Sequence, residues 1–153
     1  MILRLLLRLI LVPLGLVAAL AAAGALILAT QWNAFQAVVH ADPQAQEDFF
    51  LAVVVAGPLL VSLMATWVHY TFAPALAGVF VAETFAIRSW MFHAGNGALS
   101  ALLGWALTRD LRDEHQFFAN PTILVAAGIA AGFAYWLIAG WTAGFWKPVG
   151  GEA

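Results

Sequence analysis

The stretch VAETFAIRSWMFH, residues 81–93, decides the fold of this chain, because it sets an acid, a base and an imidazole in an almost uncharged sequence. Glu83 and Arg88 either lie inside one long apolar helix or mark the turn between two shorter ones. A central Arg costs about 2.5–3.5 kcal/mol on insertion scales, and a Glu adds to that cost. We therefore favour a turn at residues 83–89 over the other possible join, HYTFAP at residues 69–74, which leaves Arg88 near mid-span.

The composition of the chain indicates an integral membrane protein. Of its 153 residues, 64% are hydrophobic and 9% are charged, and the mean hydropathy is +0.92, whereas soluble domains carry about a quarter charged residues. The chain has no cysteine, which excludes disulfides, thiolate nucleophiles and cysteine-based metal sites. A net charge of −2 offers no basic surface, so we expect no nucleic-acid partner.

Four apolar segments predict an all-α fold, a four-helix membrane bundle that forms one transmembrane domain over the whole chain. The predicted spans are about residues 9–29, 51–82, 90–107 and 122–146. The first exceeds the roughly 7–15 apolar residues of a signal peptide, so we interpret it as a membrane anchor. The second is longer than a bilayer needs and must tilt, kink or protrude, and Pro58 and Pro74 supply two kink points.

A polar linker at residues 30–48 separates the first two spans. The spacing of Phe35, Val38 and Val39 predicts a short helix lying on the membrane surface. Asp42-Pro43 is a turn signal.

The Lys and Arg residues near the span ends predict the orientation. With four spans, one side carries both termini and the turn, with the cations Arg4, Arg8, Arg88 and Lys147. The opposite side carries Arg109 and Arg112 among three acids. We expect a multi-pass protein of the bacterial inner membrane with both termini in the cytoplasm.

Glycines at four-residue spacing predict close helix packing. They fit contacts within one bundle, which we favour, or a dimerisation face. The glycines concerned are Gly15, Gly97, Gly104, Gly128, Gly132, Gly140 and Gly144.

Glu83 and Arg88 are the first candidate site. They are five residues apart, so they do not stack as i, i+4 partners on one helix. If the helix breaks between them, the two side chains can meet across the turn and form a structural clamp between the second and third spans. The functional alternative is a gate or proton path inside the membrane.

His69 and His93 invite a haem interpretation, because two neutral imidazoles can hold an iron. In the predicted topology they differ in depth by roughly 12 Å. One haem cannot take both ligands across that gap, so we expect no haem and no other cofactor.

A second group of candidate ligands lies on the opposite side of the membrane. It could bind a divalent cation, but its last three members are consecutive and lack the spacing that aims ligands from one helical face. We expect a solvated loop surface and no metal site. The residues are His40, Asp42, Glu47, Asp48, Asp113, Glu114 and His115.

The region around the turn resembles small uncharacterised four-span bacterial inner-membrane proteins. An apolar span ends in an Ala-Glu pair, and Ile-Arg-Ser, an aromatic-rich step and a Gly-rich span follow. The resemblance supports the turn at residues 83–89 and implies no activity. It rests on Ala82, Glu83, Ile87, Arg88, Ser89, Trp90, Phe92, His93, Gly95 and Gly97.

No H-E-x-x-H, G-x-S-x-G, P-loop or Rossmann pattern occurs in the chain, so we expect no enzyme. The predicted function is that of a non-catalytic accessory or scaffold protein acting through helix–helix contacts. Its partners would be the lipid bilayer and a membrane protein or a second copy of the chain. The alternatives are a small oligomeric transporter or channel subunit and, less favoured, a haem- or quinone-binding redox subunit.

Overall fold

The computed structural model describes residues 2–108 and 121–144, and every regular element in these two ranges is a helix. The predicted all-α fold class is confirmed. A short 3₁₀ helix, Gly140–Thr142, follows the last α-helix. The α-helices are α1 Ile2–Thr30, α2 Trp32–Val39, α3 Pro43–Phe85, α4 Trp90–Leu107 and α5 Pro121–Ile138.

Two helical segments within the described ranges are long and apolar enough to cross a membrane, Leu6–Thr30 and Pro121–Ile138. The second of these segments is α5 itself, and α4 has the same length of 18 residues. His93, Asn96 and Ser100 make α4 the more polar of the two.

The chain turns at the second of the two joins considered from the sequence. α3 continues through Pro58 and Pro74 and ends at Phe85. Ala86 then adopts a left-handed backbone with φ 56°. The N–H groups of Ala86 and Ile87 both donate to the carbonyl of Ala82, which closes the end of the helix.

α3 starts earlier than the predicted second span. The Asp42 side chain accepts a hydrogen bond of 2.9 Å from the backbone N–H of Ala45, and Pro43 occupies the first turn. Acid cap and proline together favour a helix start, so the turn signal is the beginning of α3. With 43 residues, α3 is about 64 Å long.

The last helix is shorter than predicted. α5 ends at Ile138 instead of continuing to residue 146, and residues 145 and 146 lie outside the described part of the chain. After Ile138 the backbone tightens into the 3₁₀ helix, and the carbonyl of Ala139 accepts a 2.7 Å hydrogen bond from Arg8. The α-helix therefore ends at the point where this polar contact forms.

The bundle is held by three seams. α1 packs on α5, α5 packs on α4, and α4 packs on α3, whereas the described parts of α1 and α3 come close at few positions. The tightest crossing is between Gly97 of α4 and Gly128 of α5, where a methyl group on either glycine would overlap the backbone carbonyl of the other. Only glycine allows backbones to approach so closely.

The first half of α3, residues 43–62, lies apart from the bundle, and we name it the α3 arm. Residues 49–55 are all exposed, and seven consecutive positions cover every face of a helix. The arm therefore contributes bulky apolar side chains to the surface, with Val55 81% exposed.

Candidate functional site

The centre of the candidate site is an ion pair between Arg8 of α1 and Glu83 of α3. The Arg8 Nη2 donates to Oε1 of Glu83. The Arg8 Nη1 donates to the carbonyl of Ala139 at 2.7 Å and to Oγ1 of Thr142 at 2.8 Å. The two charged side chains are only 7% and 17% exposed, so hydrogen bonds between charged partners replace most of their hydration.

The second carboxylate oxygen of Glu83 binds the chain after α5. Its Oε2 accepts a hydrogen bond of 3.2 Å from the backbone N–H of Gly144. Gly144 has φ 69°, and a methyl group there would overlap Ala86 in the turn. A glycine is required at this position, because the backbone is left-handed and presses on the turn. Glu83 therefore ties α3 to both α1 and the end of the described chain.

The predicted direct pair between Glu83 and Arg88 is not formed. Arg88 donates from Nε to the carbonyl of Ala143 at 3.1 Å, while Glu83 binds Arg8. The left-handed Ala86 redirects the backbone between the two residues, so Arg88 meets the segment after α5 instead. The Arg88 carbonyl in turn accepts a 2.8 Å hydrogen bond from Nε1 of Trp136.

His93 lies beside this ion pair and is fully enclosed. It is 2% exposed, its Nε2 lies 3.3 Å from the carbonyl of Ile87, and its ring centroid lies 5.4 Å from that of Tyr135. A methyl group on Gly140 would come within 2.8 Å of the His93 Nε2. The imidazole ring is thus packed between Tyr135 and Gly140.

Two buried polar atoms next to the ion pair make no hydrogen bond within the described residues. They are the Nε of Arg8 and the hydroxyl of Tyr135. Such unpaired atoms are uncommon in protein interiors and cost roughly 1–3 kcal/mol each. We refer to Arg8, Glu83, Arg88, His93 and Tyr135 as the polar cluster.

The structure does not bring His69 and His93 together. Asn96 of α4 lies against Gly78 and donates to the carbonyl of Ala75, so His93 lies level with about residue 80 of α3. His69 comes eleven residues before that level of α3, which places it roughly 16 Å closer to the start of the helix at the rise of 1.5 Å per residue. One haem could not take both imidazoles as axial ligands across that distance.

The second group of candidate ligands is only partly described. Asp113, Glu114 and His115 lie outside the described residues. Asp42 caps α3. In the described ranges, no three His, Asp or Glu side chains converge on a point that could hold a metal ion.

The candidate packing glycines fall into two classes, both within one chain. Inside helices, Gly15 lies against Tyr135 and Ala139, and Gly97 and Gly128 face each other. Gly132 presses on the His93 carbonyl, and Gly104 is buried on α4. Gly140 and Gly144 do not belong to the face of α5, which ends at Ile138: Gly140 begins the 3₁₀ helix and Gly144 follows it, and their small size serves the polar cluster instead.

Arg8 was not predicted as a member of the site. Its position before the first span indicated only orientation, since a partner 75 positions away leaves no periodic signal. One signal was available. The predicted cytoplasmic side carries four cations, and Glu83 is the one acid in its turn between two spans, so a pairing with one of those cations was to be expected.

The arrangement joins four helices at one end of the bundle. α1 supplies Arg8, α3 supplies Glu83, α4 supplies His93, and α5 supplies Tyr135. Both charges of the central pair have partners, which is the form in which buried ions are retained in proteins. Comparison with protein-family models, with curated protein sequences and with solved structures finds no match for this chain.

Proposed function

We propose that the protein is a non-catalytic accessory or scaffold protein of the bacterial inner membrane that acts through helix–helix contacts. α1, α3, α4 and α5 would be its four spans, and both termini would lie in the cytoplasm. Its partners would be the lipid bilayer and a membrane protein or a second copy of the chain.

The exposure of the α3 arm is the observation that carries this proposal. α4 and α5 each have 18 residues, about 27 Å, while α3 reaches about 64 Å. Much of the arm therefore extends past the level of α4 and α5, with Phe50 66% and Val55 81% exposed. An apolar helix longer than the bilayer must tilt, bend or be covered by another protein. Coverage by a partner helix fits an arm whose residues 49–55 are apolar and exposed on every face.

The charges at the polar cluster support the proposed orientation. Arg8 and Arg88 both bind the segment after α5, at Ala139 and Ala143. They therefore lie at one end of the bundle. An excess of cations at one set of span ends is typical of the cytoplasmic side.

Photocrosslinking at two matched positions tests the proposal. Phe50 in the arm and Phe80 in the bundle lie on the same helix and are 66% and 72% exposed. A photoreactive phenylalanine analogue at each position, illuminated in intact bacterial membranes, should give a protein adduct at position 50 and lipid adducts at position 80. Lipid adducts alone at both positions would refute the proposal. Mass spectrometry of the adduct distinguishes a foreign partner from a second copy of the chain.

The unpaired atoms of the polar cluster favour a second candidate function, a small oligomeric transporter or channel subunit. Ionisable groups inside a membrane bundle often mark proton or ion paths. Purified protein in liposomes would then conduct protons, measured with an internal pH-sensitive dye. Glu83→Gln should abolish that flux, whereas Glu47→Gln in the exposed arm should leave it unchanged. Absence of flux in the unmodified protein would remove this candidate.

A further inference from the structure

A narrow cavity of about 110 Å³ lies between all four long helices. Its walls include one face of α1 between residues 16 and 23 and one face of α3 between residues 68 and 75, the latter with Thr71. Ser100 and Ala101 of α4 and Ala127 of α5 close the far side, and each of these three is at most 2% exposed. The cavity is therefore deep within the bundle.

The cavity reaches the surface at the seam between α1 and α3. Leu20 and Val68 line it and are also 53% and 40% exposed. The other three seams are closed by helix packing, while α1 and α3 come close at few positions in the described chain. The Arg8–Glu83 ion pair joins these two helices at one end of the bundle. Between that end and the arm, the seam is a side entrance to the cavity.

The walls are suited to hydrocarbon and to little else. They expose almost no polar surface. The Thr71 hydroxyl is buried in the wall and makes no hydrogen bond within the described residues, but a single hydroxyl does not orient a head group, a quinone carbonyl or a charged solute. Apolar cavities of about 150 Å³ stay free of water and take up small apolar molecules. Ser100 lies on the wall, but its hydroxyl already donates to the carbonyl of Asn96 at 2.7 Å.

The shape of the cavity indicates which kind of apolar molecule fits it. The wall residues on α1 and on α3 each extend over seven helical steps, roughly 10 Å at the rise of a helix. A volume of about 110 Å³ drawn out over that length is thin. It fits an unbranched chain better than a ring system.

The cavity also lies at a depth that a lipid chain reaches. From Arg8 to Ala19 and from Glu83 to Thr71 the distance along each helix is roughly 17 Å. The hydrocarbon core of a bilayer is about 30 Å thick. If the polar cluster lies at the membrane surface, the cavity lies near the middle of the bilayer, where acyl chains end.

We propose that this cavity binds the end of a lipid hydrocarbon chain, which enters from the bilayer through the seam between α1 and α3. The chain fills the space that α1 and α3 leave between them. The proposal requires the bilayer placement of the bundle and is independent of the scaffold role of the α3 arm.

Photolabelling of the full chain in lipid vesicles tests the proposal. The vesicles contain phosphatidylethanolamine and phosphatidylglycerol, with a trace of phosphatidylglycerol that carries a diazirine near the end of one acyl chain. A parallel sample uses a free fatty acid with the same diazirine. Labelling at Ser100, Ala101 or Ala127 by either probe supports the proposal, because lipid outside the bundle cannot reach these buried residues. The comparison of the two probes identifies the source of the chain.

Matched variants show whether the label arrives through the seam. Ala23→Phe narrows the cavity from α1, and Ala75→Phe does so from α3. Each should reduce labelling of the buried residues at least fivefold. Ala25→Phe and Ala77→Phe place the same side chain at exposed positions of the same helices, so labelling should be unchanged.

Two results would overturn the proposal. The first is labelling of the outer face of α1, at Leu28, without labelling of the buried residues in the unmodified protein. That result needs no variant, and it also shows the chain to be in the bilayer, so it leaves the proposed function standing. The second is labelling of the buried residues that none of the narrowing variants reduces.

Discussion

The two halves of α3 are both apolar and continuous in one helix, yet they have different surroundings. The second half, residues 63–85, is packed in the bundle, where Val79 is 8% and Ala82 1% exposed. In the arm, residues 49–55 are exposed on every face. The comparison shows that hydrophobicity makes the helix but does not decide where it packs.

Small and polar side chains account for the difference between the halves. In the second half, Gly78 admits the side chain of Asn96, which donates to the carbonyl of Ala75 at 3.1 Å. Glu83 adds the ion pair to α1. In the arm, a methyl group on Gly57 would meet nothing within 4 Å. In the proposed bilayer setting, where no hydrophobic force draws helices together, such close approaches and hydrogen bonds would select the packed half.

Breaking the ion pair should have the largest effect on stability. Glu83→Gln leaves Arg8 buried without a counter-charge, which costs about 3–5 kcal/mol for buried pairs. Thermal unfolding in detergent, followed by circular dichroism, measures the change. Glu47→Gln in the exposed arm is the matched control and should stay within about 0.5 kcal/mol.

A double variant separates the charge from the packing at this site. Arg8→Met combined with Glu83→Met removes both charges and should recover much of the stability, because apolar replacement of a buried pair is often neutral. A double variant as unstable as Glu83→Gln would show that the hydrogen bonds to Ala139 and Gly144 stabilise the bundle more than charge neutrality does.

Truncating one valine in each half of α3 should give the next largest difference in the free energy of unfolding. Val79→Ala removes buried methyl groups and should cost about 2 kcal/mol. Val55→Ala removes the same atoms from a side chain that is 81% exposed, so the isolated chain should lose less than about 0.5 kcal/mol. Equal losses for the two variants in the same detergent would mean that the arm is packed in the monomer.

A methyl group on one glycine in each half should have effects of opposite sign. Gly57→Ala has free space around it and should stabilise the helix by about 0.5–1 kcal/mol. Gly78→Ala would displace the Asn96 side chain and break its hydrogen bond to Ala75, for a net loss of about 1 kcal/mol. Unfolding temperatures that shift in the same direction would contradict the packing of α3 on α4.

The sequence predicted the helices and the turn because both follow from local patterns. Apolar runs and prolines indicated the segments, and the cost of burying Arg88 selected the turn at residues 83–89. The start of α3 was readable too, since Asp42-Pro43 is both a turn signal and a helix start.

The partners of the charged residues could not be predicted in the same way. The left-handed conformation of Ala86 is unusual for a residue with a side chain. This conformation turns Arg88 away from Glu83, and no local sequence pattern predicts it. The carbonyl of Ala139, directly after the end of α5 at Ile138, accepts a hydrogen bond from Arg8, which lies 131 positions away in the chain. Both features involve tertiary contacts that a single sequence does not display.

The smallest expected effect is at the first turn of the arm and is confined to it. Asp42→Ala removes the acceptor for the N–H of Ala45, which costs helices about 1 kcal/mol. Because the arm does not pack on the bundle, the loss should appear as faster hydrogen exchange of the amides at residues 45–50 without a change in the unfolding temperature. Asp42→Asn keeps a good cap and should exchange like the unmodified protein. A lower unfolding temperature for Asp42→Ala alone would instead show that the arm and the bundle unfold together, so that the two halves of α3 differ in exposure but not in stability.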